Sequence, residues 1–485
     1  METKASVEKN YIYNLLYQVL VILTPLVTTP YVTRVLGDEM LGACDWTQSM
    51  CTYFLLITSL GISLYGQREI AYHRDSLPER SRVFAELFTM RAAVVLLGLL
   101  LYNLWLCRGP YTLLFRIQNL ELIAVIFEIS WVLQGMENFR AVVGRNTLVK
   151  LLSVACIFLF VKKPADIGIY ILCQSGAVLV GNLSLWYYLP RYVDRKSIDT
   201  IRVLRHLRPV LILFIPQIAI QVYAVMDRTM LGYLANTMAQ NGYYSQAQKI
   251  VKVALAVVTS MGTVMLPRAS YLFSNHETER MKAAIMETFR FALFMGTALM
   301  FGVIGIAGNL VPWFFAPEFA PVEMLLYMLA PRIFLVALSN VSGIQCLVPM
   351  KRQFAFNLSV ILGAVCNLIL NFMLIPKLGA VGACIGTVAA ELVVTASQFY
   401  SLRDMLAFGK IGRMGLRNLA AGACMGAVVF AAGRGLPPMI GSTVLLVMLG
   451  VAVYTVALLL LRDDYPKVLL AKGRAMLGKK HGSGV

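Results

Sequence analysis

The sequence predicts an all-α polytopic membrane protein with about fourteen transmembrane helices, each about 20 apolar residues long. Three observations carry that prediction. The 485 residues are 59% hydrophobic and 14% charged, whereas soluble domains carry about 25% charged residues. Apolar stretches long enough to cross about 30 Å of hydrocarbon at 1.5 Å per residue recur along the whole chain. Only short polar loops separate them, so no stretch remains for a soluble domain. An ionisable group in hydrocarbon costs several kcal/mol, and the scarcity of charge is what a bilayer imposes.

The polar head Met1–Asn10 leads straight into a full-length span with no small-residue cleavage site, so the first segment is expected to be a retained helix. The first half is expected to hold spans at Tyr13–Thr33, Cys44–Tyr65, Phe84–Leu106, Leu113–Leu133, Ala141–Val161 and Gly168–Tyr188. The second half is expected to hold Pro209–Leu231, Tyr244–Leu266, Ala284–Ala307, Met324–Val348, Phe354–Leu374 and Val381–Phe399. Leu416–Gly433 and Ile440–Leu461 follow. The fourth span is irregular, with Arg116, Asn119 and Glu121 near its start, and the thirteenth is glycine-rich. With the N-terminus placed in the cytoplasm, Lys and Arg on the cytoplasmic side outnumber those in the outer loops by about four to one. Both termini are therefore expected in the cytoplasm, and the net charge of +18 needs no nucleic-acid partner.

Soluble chemistry is poorly represented. The nine cysteines are scattered, mostly in apolar segments, with no C-x-x-C pair and no Cys/His cluster; neither a disulfide framework nor a metal site is expected. The four histidines, His73, His206, His276 and His481, lie in polar loops or the tail and are expected to be solvated. Gly473–Lys480 has Walker-like spacing but lacks the Ser/Thr that would hold magnesium and a preceding strand, so it is read as a basic tail facing anionic lipid. No cofactor and no enzymatic activity are expected.

The chain repeats itself after about six helices, a transporter plan with the substrate site between the halves. Pro25, Arg34-Val-Leu-Gly37, Leu41-Gly42, Leu60-Gly61 and Tyr65-Gly-Gln-Arg68 stand in the first half. Pro216, Asp227-Arg228-Thr-Met-Leu-Gly232, Asn241-Gly242, Met261-Gly262 and Leu266-Pro-Arg268 follow in the same order in the second. An even number of helices per unit makes the halves parallel. The expected lobes are residues 1–205 and 206–402, with helices 13 and 14 and the basic tail in 403–485. Pro25, Pro30, Pro216 and Pro331 fall inside spans, where each removes a backbone hydrogen bond and permits a kink.

Charges within spans default to a pathway or a partner role. Arg34, Arg91, Arg228, Lys249, Lys252, Arg290 and Arg332 are the candidate cations, and Asp227, Glu128 and Glu391 the candidate acids. Cations outnumber acids, so a cavity lined by them would attract an anion; Arg forks suit phosphate and Lys acts as a mobile point charge. The acids are expected to be proton or sodium coupling sites, or counter-ions to the cations.

Several strings resemble the bacterial polysaccharide repeat-unit flippases of the multidrug/oligosaccharidyl-lipid/polysaccharide exporter superfamily. They are Thr28-Thr-Pro-Tyr-Val-Thr-Arg-Val-Leu-Gly37, Tyr53-Phe through Leu60-Gly-Ile-Ser-Leu-Tyr-Gly-Gln-Arg-Glu-Ile70, and Ile129-Ser-Trp-Val-Leu-Gln-Gly-Met-Glu137. Met226-Asp-Arg-Thr-Met-Leu-Gly232, Tyr244-Ser-Gln-Ala-Gln-Lys249, and Leu374-Ile-Pro-Lys-Leu-Gly-Ala-Val-Gly-Ala383 with Glu391 continue the match over most of the chain. The resemblance implies two six-helix lobes around a central cavity, with two further helices at the C-terminus. It implies a short glycan on an undecaprenyl diphosphate carrier as substrate, moved from the inner to the outer leaflet. Work in a bacterial cytoplasmic membrane beside glycosyltransferases or a polymerase is expected, and the drive is left open between an H+ or Na+ gradient and consumption of the glycan outside. Three other functions compete. A drug or organic-cation antiporter of the same superfamily would want an acidic cavity, and the first helix has no carboxylate. A peptidoglycan-precursor flippase would use a nearby substrate. A membrane glycan polymerase would usually show a long outer loop, and the outer loops here are all short.

Overall fold

The computed structural model describes residues 4–194, 196, 198, 201–275, 277–468 and 471, and every regular element among them is helical. The string Gly473–Lys480, His276 and His481 lie outside the described residues, as do the side chains of Pro216, Met261, Gly262 and Arg268. Ten segments are long and apolar enough to cross a membrane. The first, Tyr17–Tyr72, holds two expected spans, and α4, α8 and α9 below hold three more, so every expected span falls on a helix.

The chain packs as two compact units, Met1–Tyr233 with Thr237–Gly242, and Leu234–Asn236 with Tyr243–Val485. The division falls after α8 (Leu207–Leu234), whereas the sequence repeat placed a boundary before it. Local contacts hold α8 to the first unit: the Thr229 hydroxyl donates to Ser49 Oγ at 3.0 Å and Tyr53 OH at 3.1 Å. A Cβ on Gly232 would fall on the Trp46 ring.

In the first unit, α1 (Lys4–Ser59) contains both Pro25 and Pro30 within regular helix; the interruption lies at Gly37, with φ 74° and ψ 176°. That region favours glycine, because a Cβ there meets the backbone. The kink expected from the prolines is thus supplied by a glycine instead. The second expected span is also cut short. Leu60 (φ 47°) and Gly61 (φ 70°) separate α1 from a short α2 (Ile62–Tyr72). The fourth expected span, Leu113–Leu133, divides into α4 (Thr112–Ile126) and α5 (Ser130–Gly135). The short helices α2 and α5 pack through small residues: a Cβ on Gly66 would lie 2.5 Å from the Trp131 ring, and one on Gly135 2.7 Å from the Gln67 carbonyl. Close backbone approach of this kind suits helices in lipid, where packing and hydrogen bonds hold helices together. Helices α3 (Leu77–Trp105), α6 (Phe139–Phe160) and α7 (Ile167–Ser184) complete the unit, and buried Ile62, Leu87, Trp131 and Leu133 share one core.

The second unit comprises α9 (Ala239–Ser274, after its first turn), α10 (Thr278–Phe314), α11 (Val322–Ser339), α12 (Gln353–Leu378), α13 (Ala380–Ser401), α14 (Phe408–Arg434) and α15 (Ile440–Leu460). Pro331 sits inside regular α11, which runs on into a π-helix at Asn340–Leu347. Helices α12 and α13 meet at glycines, with Gly363 against Val394 and Gly386 against Asn371. Ile361, Leu362, Val365, Ile369, Phe372 and Met373 of α12 are exposed. An exposed apolar helix face of this length is what a lipid solvent requires and water would penalise.

Candidate functional site: charges inside the helix bundle

The break in the fourth span leaves backbone groups that hydrocarbon cannot satisfy. Arg91 of α3 fills that break. Its Nη1 donates to Glu128 Oε2 at 2.7 Å and to the Glu128 carbonyl, and its Nη2 donates to Ser63 Oγ at 3.1 Å. Ser63 donates to Glu128 Oε2 at 3.0 Å, the Ser130 backbone N–H donates to Oε1 at 3.0 Å, and Trp131 Nε1 donates to the Glu128 carbonyl at 3.1 Å. Arg91 is only 2% exposed. The expected cavity cation and the expected acid are partners in a packed wall, and Arg91 lines no open surface.

The other candidates of the first unit lie on α1 and α8. Arg34 is exposed and its Nη1 donates to the Pro30 carbonyl at 2.8 Å. Asp227 is buried and Arg228 half-buried, on the same stretch of α8 that binds α1 through Thr229.

In the second unit α9, α11 and α13 bring polar side chains together inside the membrane. Arg332 Nε donates to Glu391 Oε1 at 3.2 Å, and Nη1 donates to Gln248 Oε1 at 2.9 Å. Gln248 Nε2 donates to Tyr244 OH at 2.6 Å, and Tyr244 OH lies 2.8 Å from Thr387 Oγ1. Lys249, half-buried, donates to Gln246 Oε1 at 3.1 Å, and Lys252 is exposed on the next turn of α9. Arg332 and Glu391, two of the expected residues, are thus brought together through α11 and α13, while Lys249 and Lys252 lie on the same helix, α9, as Gln248.

Arg290 does not join them. It donates to Asp463 Oδ1 at 2.8 Å and stacks 4.8 Å over the Tyr465 ring, tying the segment after α15 to α10. Burial, with Glu287 adding and Arg290 opposing, pushes the Tyr465 hydroxyl up to about 12.

Buried Glu86 and half-buried Glu121 were not among the candidate acids. Glu86 is fully buried and accepts from Arg82 Nε at 3.2 Å, Arg205 Nε at 2.9 Å, the Arg202 backbone N–H at 2.7 Å and His206 Nε2 at 2.8 Å. His206, expected to be solvated, is instead buried, with Nδ1 2.8 Å from Tyr65 OH. A charge inside the expected span Phe84–Leu106 was the available signal; its partners lie too far along the chain to be read from spacing. Glu121 of α4 is the second, held by Gln48 and Ser175.

This architecture defines a class. It shares its fold with the structure titled "Lipid II flippase MurJ, inward closed conformation", with TM-score 0.73 and 14% identity over 92% of this chain and 97% of that one. It also shares its fold with an inward-facing multidrug resistance MATE family transporter of the MOP superfamily, with TM-score 0.61 and 12% identity over 81% and 98%. Residues 7–273 match the family model described as polysaccharide biosynthesis protein, and the chain belongs to that family. Among its relatives, a protein of Escherichia coli (strain K12) named "Putative O-antigen transporter" is 25% identical over 83% of this chain and 98% of its own length. A Shigella dysenteriae protein of the same name is 24% identical over 77% and 94%. The resemblance read from the sequence, to polysaccharide flippases of the multidrug/oligosaccharidyl-lipid/polysaccharide exporter superfamily, is borne out.

Proposed function

We propose that this protein is a flippase that carries undecaprenyl-diphosphate-linked oligosaccharide repeat units from the inner to the outer leaflet of the cytoplasmic membrane by alternating access, for surface polysaccharide synthesis. Family membership and the names of the relatives support the reaction class. The Lys/Arg asymmetry supports a topology with both termini in the cytoplasm. The protein moves its substrate and makes no bond; glycosyltransferases supply the substrate and a polymerase consumes it.

The observation that carries the reading is the Arg332 cluster. An intramembrane guanidinium that donates to one carboxylate, Glu391, and to one neutral amide, Gln248, offers a diphosphate a fork for which it can compete. Lys249 and Lys252 add point charges on α9, and Arg34 and Arg228 supply cations in the first unit. Displacement of Glu391 would leave it to take H+ or Na+, which links the drive to the anion; Asp227 is the alternative coupling acid. Arg91 and Arg290, already engaged with Glu128 and Asp463, hold the walls in this scheme.

The test is mass spectrometry of carrier lipids from cells with and without the gene. Build-up of a diphosphate-linked oligosaccharide with loss of surface polymer is the expected result. A pentapeptide-bearing carrier in its place would move the protein to the peptidoglycan-precursor reading, which the shared fold with MurJ favours. An unchanged lipid pool with new sensitivity to organic cations would sink both.

A further inference from the structure

Among the described residues, acids within the helix bundle face cations: Glu86 faces Arg82 and Arg205, Glu128 faces Arg91, Glu391 faces Arg332, and Asp463, just after α15, faces Arg290. Glu121 does not; no described Lys, Arg or His lies within 4.0 Å of it. It stands nine residues beyond Thr112 in α4, about 14 Å along the helix and inside the fourth expected span.

Its partners are neutral. Gln48 Nε2 donates to Oε2 at 2.9 Å, and Ser175 Oγ lies 2.9 Å from Oε1. The helices packed on α4 are α7, α1 and α3. From α1 and α3 the titratable groups that face Glu121 are the Cys51 thiol and the Tyr102 phenol, both uncharged at neutral pH. From α7, Tyr170 lies toward Asp45 of α1. Asp45 is one turn from Gln48 and has a buried Oδ2 without a hydrogen-bond partner. Arg116 of α4 lies toward Cys107. Among the described residues these surroundings hold a second acid and no cation within 4.0 Å of Glu121.

An ionised carboxylate in such a place costs several kcal/mol, and the neutral acid avoids that cost. The contact with Ser175 joins two oxygens, either of which can donate. The same geometry therefore serves a carboxyl that donates to Ser175 and a carboxylate that accepts from it, as reversible proton binding requires.

We infer that Glu121 is a proton-binding site of the first unit. On uptake the proton forms an O–H bond at Oε1, and that hydroxyl donates to Ser175 Oγ. On release the O–H bond breaks, the proton leaves, Ser175 turns its hydroxyl toward Oε1, and Gln48 continues to hold Oε2. The site belongs to a different unit from the Arg332–Glu391 pair and needs no statement about what is transported.

The experiment uses the full chain in liposomes with dicyclohexylcarbodiimide, an apolar reagent that adds to protonated carboxylic acids in apolar sites. Peptide mass spectrometry is expected to find the adduct at Glu121, declining several-fold as pH is raised, with Glu86, Glu128 and Glu391 unlabelled. Infrared spectra are expected to show a protonated-acid band that Glu121→Gln removes; the amide keeps the shape and both hydrogen bonds. An unlabelled Glu121 at every pH, or an unchanged band in the variant, would overturn the inference. Labelling needs no substrate, so a protein that labels at Glu121 yet moves no lipid-linked glycan would refute the flippase reading and leave this site standing.

Discussion

The Arg91 guanidinium donates to the Glu128 carboxylate at 2.7 Å at the point where the fourth transmembrane segment stops being a helix. The pair fills the gap between α4 and α5 and is closed by Ser63, which begins the segment after the break at Gly61. Two interruptions of the first unit thus share one buried ion pair. Removing Glu128 leaves Arg91 charged and buried, which costs about 3–5 kcal/mol, and removing Arg91 leaves a half-buried Glu128 at a smaller cost. Arg91→Ala and Glu128→Ala are each expected to lower the stability of the purified protein, Glu128→Ala the more, read from the thermal midpoint. Their double variant should cost much less than the sum, read as a coupling energy in a double-mutant cycle.

Arg332 is expected to carry transport where Arg91 carries stability. Arg332→Ala should abolish surface-glycan export at a normal membrane level of the protein. Arg332→Lys should restore only part of it, because an ammonium cannot offer the bidentate fork. Normal export by Arg332→Ala would remove this residue from the mechanism.

Glu86 gathers Arg82, Arg205 and His206 with the Arg202 backbone. Glu86→Gln keeps the shape but withdraws the charge from Arg205 and His206. A loss of about 1–3 kcal/mol is expected, the range for leaving buried hydrogen-bonding groups badly matched. Denaturation in detergent measures it.

Gly66 and Gly144 make a paired steric test. A Cβ on Gly66 meets the Trp131 ring at 2.5 Å, whereas one on Gly144 meets nothing within 4 Å. Gly66→Ala is expected to cost about 1–3 kcal/mol by overpacking and to change Trp131 fluorescence. Gly144→Ala, in regular α6, should be neutral or gain about 0.4–1 kcal/mol.

At alkaline pH the segment after α15 should loosen. The Tyr465 hydroxyl sits at about 12 in the folded protein against 10.0 for the free group, so the folded state holds the proton more tightly. Its contribution to stability is complete below about pH 10, decays as pH rises, and is gone above about 12. Tyr465→Phe should abolish that alkaline transition, followed by phenolate absorbance and thermal midpoint.

The sequence by itself determined which segments enter the membrane and which of them carry charge. The reason is local: a span must hold about 20 apolar residues in a row, and any window shows whether it does. Family membership was legible for the same reason, since it rests on strings such as Met226-Asp-Arg-Thr-Met-Leu-Gly232 that need no partner to be seen. Only the tertiary structure decided what each charge does. Arg91 meets Glu128 across 37 residues, Arg332 meets Glu391 across 59, and His206 meets Glu86 across 120. No window of the sequence contains those pairs. The breaks at Leu60–Gly61 and Phe127–Ile129 were hidden too, because long apolar runs flank both, and neither a single glycine nor the single charge of Glu128 ends a helix by itself. A helix can stop inside an apolar run only where a neighbour satisfies its open backbone, and here that neighbour, Arg91, comes from another helix.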